Sequence, residues 1–89
     1  MPSREVTIIN KLGLHARAAA KFVALAGQYD TDIQVHLGSK TVNGKSIMGM
    51  MMLAASRGTT ITLEADGDDA AAALNALENL VNERFEETE

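Results

Sequence analysis

Apolar and polar positions along this chain switch between a period of two and a period of 3.6, and the switches divide it into seven elements. Val6 and Ile8 on one face predict a first strand over Glu5 to Ile9, followed by a loop from Asn10 to Leu14 hinged at Gly13. Ala19, Phe22, Val23 and Ala26 recur at i, i+3, i+4 and i+7 and make the buried stripe of a helix over Ala16 to Ala26, which Gly27 stops. Ile33, Val35 and Leu37 alternate with Asp32, Gln34 and His36 in a second strand. Gly38-Ser39 is a two-residue hairpin turn into a third strand, Lys40-Thr41-Val42. Beyond an Asn43-Gly44 turn, Ser46 reads as the N-cap of a short helix to about Leu53. Thr59 to Glu64 is a fourth strand, and Asp66-Gly67-Asp68 turns the chain into a last helix. Its stripe of Ala70, Ala73, Leu74, Leu77, Leu80, Val81 and Phe85 is the most regular of all, with Asp68 and Asp69 at the positive end.

Hairpin chemistry at Gly38-Ser39 requires an antiparallel pair, so the order of elements predicts an α+β fold with helices covering one face of a small sheet. Eighty-nine residues make one domain, 1–89, with an acidic end at about 86–89 that is expected to fray. The short helix carries more apolar residues than it can bury. Met50 and Leu53 fall on the core side, which leaves Ile47, Met48 and Met51 nearer solvent, and methionine suits surfaces that fit several partners.

Charge narrows the function. The net charge is −4, with acidic residues crowded into the last third and basic ones mostly earlier. That asymmetry predicts a mildly positive region around His15 that attracts an acidic partner. An acidic chain whose three aromatic residues form no stacking pattern does not bind nucleic acid. There is no cysteine for thiolate metal sites or thiol catalysis. The start, Met1-Pro2-Ser3-Arg4-Glu5, has no basic-then-apolar signal pattern and no apolar run approaches a membrane span, so a cytoplasmic protein is expected.

The candidate chemistry lies in Gly13-Leu14-His15-Ala16-Arg17. This run sets an imidazole where an extended segment becomes a helix, beside the unpaired N–H groups of the helix start and two residues before a guanidinium. Helix-end donors and a guanidinium are what a phosphate needs. A neutral imidazole is also a good nucleophile, and both the helix end and Arg17 disfavour a second positive charge. No carboxylate, metal-ligand spacing or glycine-rich nucleotide loop stands near His15 in the sequence, whereas phosphoryl-transfer enzymes need such clamps. His15 therefore reads as a group served by other enzymes, with no cofactor and no metal of its own.

Gly13-Leu14-His15-Ala16-Arg17 together with Lys45-Ser46-Ile47-Met48-Gly49 resembles the two signature regions of the HPr phosphocarrier family of the phosphoenolpyruvate-dependent phosphotransferase system. The resemblance spans essentially the whole chain. It implies an open-faced β-sandwich, a four-stranded antiparallel sheet covered on one face by three helices. It also implies that His15 takes phosphate on Nδ1 from phosphorylated Enzyme I, with Arg17 as phosphate partner, and passes it to Enzyme IIA proteins in sugar uptake. A monomeric phosphocarrier, not a complete catalyst, is what it describes. Many members have proline where this chain has Ala18; alanine is a strong helix former, so a slightly less rigid helix start with retained chemistry is expected.

From its residues alone Ser46 is a helix cap. The resemblance adds a regulatory phosphorylation there by an HPr kinase/phosphorylase in bacteria that have one, which would set about two negative charges on the docking face of Ile47, Met48 and Met51. The run from Gly38 to Ser46 mimics a P-loop but is one residue too long and follows a hairpin, so nucleotide binding is rejected. His36 reads as a surface residue. Two alternatives stay open: a carrier of the related nitrogen-regulatory branch, and a docking domain that never carries phosphate, although docking alone would not require the His15–Arg17 pair.

Overall fold

In the computed structural model, which describes residues 2–88, four strands and three helices follow one another in the expected order. They are β1 (Ser3–Thr7), α1 (Ala16–Ala26), β2 (Asp32–Leu37), β3 (Lys40–Asn43), α2 (Ile47–Met52), β4 (Thr60–Asp66) and α3 (Ala70–Asn82). All strand pairs are antiparallel, in the order β1-β4-β2-β3. The chain forms an open-faced sandwich: one face of the sheet is buried and the other is open.

Alternation decides which face is which. Ile33 and Val35 on β2, and Ile61, Leu63 and Ala65 on β4, are buried together with Ala19 and Phe22 of α1 and Leu74, Leu77 and Val81 of α3. Each of these side chains is at most 2% exposed, so neither layer is stable without the other. His36 and Glu64 fall on the opposite, open face and are half-buried, with His36 Nε2 3.2 Å from Glu64 Oε1 and Nδ1 2.8 Å from Thr41 Oγ1.

Several element boundaries differ from the hydrophobic pattern: β3 extends to Asn43, β4 covers Thr60–Asp66 in place of Thr59 to Glu64, and β1 and α3 differ as well. The first strand runs Ser3–Thr7 instead of Glu5 to Ile9, because it is set by the ladder to β4, from Ser3 opposite Glu64 to Thr7 opposite Thr60. Backbone pairing needs no apolar side chain, so polar Ser3 and Arg4 belong to it. Ile8 stays buried while the chain begins to turn away. At the start of α3 the Asp69 carboxylate does not cap the helix; it accepts from the Asp30 N–H at 3.0 Å.

The end of α3 bears on function. α3 ends at Asn82, although its apolar stripe continues to Phe85. Arg84, Phe85 and Glu86 take φ of 58°, 53° and 65°, three successive left-handed residues without a glycine. Left-handed backbone costs roughly 1–2 kcal/mol per such residue. Burial of Phe85, which is 0% exposed, and a bond from Lys21 Nζ to its carbonyl at 3.0 Å oppose that cost. The turn sends residues 86–88 back over α1. That is the end read from the sequence as fraying; Glu89 lies outside the described residues.

Candidate functional site

The loop from β1 to α1 delivers His15, and its shape rests on Asn10 and Gly13. Asn10 is fully buried, donates from Nδ2 to the Gly13 carbonyl at 2.8 Å, and accepts at its own carbonyl from the Gly13 N–H at 3.2 Å. Gly13 has φ +67°, and a Cβ there would stand 2.5 Å from the Ala55 carbonyl oxygen. The next N–H, of Leu14, donates to that same oxygen at 2.9 Å. Only glycine allows this close approach, which anchors the loop to the segment after α2.

His15 is thereby set as the N-cap residue of α1 in extended conformation, and its side chain does not cap the helix. The first helical bond runs from the Ala19 N–H to the His15 carbonyl, 2.9 Å. The N–H groups of Ala16, Arg17 and Ala18 precede that bond and form the positive end of the helix dipole. Ala18 is fully buried. Unlike proline, it retains its N–H in this set.

A carboxylate that the sequence separates from His15 by 72 positions closes the site. Glu87 Oε2 is 2.5 Å from His15 Nε2, and its Oε1 accepts from Asn10 Nδ2 at 3.1 Å. The sequence around His15 holds no carboxylate; the fold brings this one in from the far end of the chain. An ionised carboxylate only accepts, so the proton of this bond belongs to Nε2. Burial acts to raise the Glu87 pKa, but hydrogen bonds from His15 and Asn10 and the charges of His15 and Arg17 outweigh it and hold the carboxyl below its ordinary 4.5. Both N–H groups of the Asn10 amide are committed, to Gly13 and Glu87, and its buried Oδ1 has no hydrogen-bond partner among the described residues.

His15 is 29% exposed at its side chain and opens onto a cleft of about 510 Å³. Lys11, Arg17 and Lys21 line it from the loop and α1, and Glu86, Glu87 and Thr88 line it from the C-terminal segment. Lys21 Nζ also lies 3.1 Å from Glu86 Oε1. The expected positive region around His15 is therefore present, partly balanced by two carboxylates that sequence order had put elsewhere.

Ser46 caps α2, its Oγ accepting from the Gly49 N–H at 3.0 Å. Met50 and Leu53 point into the core, and Ile47, Met48 and Met51 are exposed, as the helical spacing predicts. Met52 and Leu12, both 68% exposed, add to the apolar surface. Leu12 stands in the His15 cleft, where no periodicity marked it. Glu87, Asn10 and Lys21 were missed because the contacts that bring them into the site, Glu87 with His15 and Asn10 and Lys21 with the Phe85 carbonyl, join residues far apart along the chain.

A half-exposed imidazole on an open helix end, ringed by lysine and arginine, has the form of a phosphoryl carrier. The chain matches the family model of the PTS HPr component phosphorylation site over residues 2–83, and it belongs to the HPr family of phosphotransferase-system phosphocarriers. It is 56% identical over 90 residues to the phosphocarrier protein HPr of Pseudomonas aeruginosa, with 100% of both chains covered. It is also 49% identical over 84 residues to the phosphocarrier protein NPr of Shewanella violacea, covering 94% of this chain and 92% of that one. The crystal structure of HPr-C-His from Thermoanaerobacter tengcongensis superposes with a TM-score of 0.95 at 44% identity, over 100% of both chains.

Proposed function

We propose that this phosphocarrier takes its phosphoryl group on His15 Nδ1 from phosphorylated Enzyme I and delivers it to Enzyme IIA proteins in the sugar branch. The observation that carries this reading is the engagement of Nε2 by Glu87, which leaves Nδ1 as the ring nitrogen with a lone pair. In the transfer the donor's bond to phosphorus breaks as the Nδ1–P bond forms, and no proton need leave the acceptor nitrogen. The N–H groups at the start of α1 and the Arg17 guanidinium then face an anion that each of them favours.

Ile47, Met48 and Met51 form the surface on which donor and acceptors dock. Their exposure supports this, as does the packing of the His15 loop onto Ala55 just after α2. Phosphorylation of Ser46 would set charge at the edge of that surface without unfolding α2, since a phosphate is favoured at a helix start. The carrier works in the cytoplasm, where its partners operate. The similarity to a protein named NPr makes the nitrogen-regulatory branch the second reading.

Incubation with phosphoenolpyruvate and Enzyme I tests the proposal. The native chain should gain acid-labile phosphate and His15→Ala should gain none; equal labelling of the two would refute His15 as acceptor. Comparing onward transfer to Enzyme IIA proteins of the sugar and nitrogen branches decides between the two readings.

A further inference from the structure

We propose that Glu87 is a positioning residue for phosphoryl transfer: its carboxylate holds the proton on His15 Nε2 in both the free and the phosphorylated ring. This rests on His15 as the phosphoryl acceptor. Three features of the structure lead to it. Glu87 Oε2 lies 2.5 Å from Nε2, a short charge-assisted contact. Its other oxygen is held by Asn10, a buried amide whose remaining N–H is tied to the loop that sets His15. The segment is brought there by three consecutive left-handed residues, a conformation stabilised by burial of Phe85 and by Lys21. Backbone strain of this kind is concentrated where a side chain must be aimed. The matched family region ends at residue 83, before this turn begins.

The chemistry gives the contact a role in both directions of transfer. On the way in, a proton fixed on Nε2 leaves Nδ1 with the lone pair that attacks phosphorus. On the way out, the Nδ1–P bond breaks and its electron pair returns to Nδ1. With Nε2 still protonated, the departing ring is neutral imidazole; without that proton it would have to leave as the far more basic imidazolate. The proton stays on Nε2 throughout, so the step needs no further acid or base. A carboxylate that orients an imidazole and fixes its tautomer is a general device of histidine chemistry.

The full chain, Glu87→Gln and Glu87→Ala are compared by ring nitrogen NMR of His15 and by the kinetics of labelling from phosphoenolpyruvate and Enzyme I. The native ring should show a single Nε2–H tautomer. Glu87→Gln keeps an acceptor oxygen, so it should keep that tautomer and label within about twofold of the native rate. Glu87→Ala should mix the two tautomers and lower kcat about tenfold, the lower end of what losing a partner that orients a histidine costs, with KM unchanged because the donor is not touched. An unchanged tautomer in Glu87→Ala overturns the proposal, as does an unchanged rate. Faster labelling also overturns it, since the carboxylate would then only obstruct the site. Labelling of His15→Ala would instead remove the reading on which the proposal stands.

Discussion

Gly13 does more for the site than its lack of a side chain suggests. Its φ of +67° and the 2.5 Å that would separate a Cβ from the Ala55 oxygen allow no other residue without moving the loop that presents His15. Gly13→Ala is expected to cost more than about 1 kcal/mol in urea unfolding and to slow phosphoryl acceptance as well. Native stability in this variant would show that the loop gives way freely. Glu87 brings a pH dependence of its own. Its folded pKa lies below the ordinary 4.5, so its stabilising contribution is full above about pH 4.5 and is lost as pH falls through the lower folded value. The stability advantage of the native chain over Glu87→Gln should therefore be present at pH 6 and vanish at pH 2. A difference independent of pH would mean that the carboxylate charge is not what holds the segment.

Among the elements, α2 is the one whose stability and surface are most tightly coupled. It has six residues, one fully buried side chain, Met50, and one cap, Ser46. Ser46→Ala removes the bond to the Gly49 N–H and should cost about 1 kcal/mol, whereas Ser46→Asp retains a cap. If the helix also forms the docking surface, Ser46→Asp should fold like the native chain yet accept phosphate from Enzyme I more slowly; a native rate would count against regulation at this position. The end of α3 illustrates the converse. Its apolar periodicity runs on to Phe85, but the side chain reaches the core through a left-handed turn instead of a further helical one, because burial rewards position and not conformation.

The molecule as a whole sets a cleft rich in basic side chains beside His15 on an acidic protein. Lys11, Arg17 and Lys21 gather at His15 although the net charge is −4. Association with an acidic donor should therefore slow as ionic strength rises from 0.05 to about 0.5 M, because a Debye length near 10 Å at 0.1 M already screens such steering. Labelling rates insensitive to salt would rule that steering out. Phe85 joins the core to the site: Phe85→Ala should cost about 3–5 kcal/mol and also release Glu87 from His15, so the His15 ring signals would resemble those of Glu87→Ala. The helix α1, the sequence of elements along the chain, the hairpin, the Ser46 cap and the core side of α2 were all legible from periodicity and turn chemistry, because each depends on neighbours a few positions apart. So was the imidazole at a helix start. The ladder that draws Ser3 and Arg4 into β1, the left-handed turn after α3 and the meeting of Glu87 with His15 were not, since each is settled by residues at least 50 positions away. An acidic end has the composition of a solvated tail. Only the packing of Phe85 beneath it makes that end part of the site.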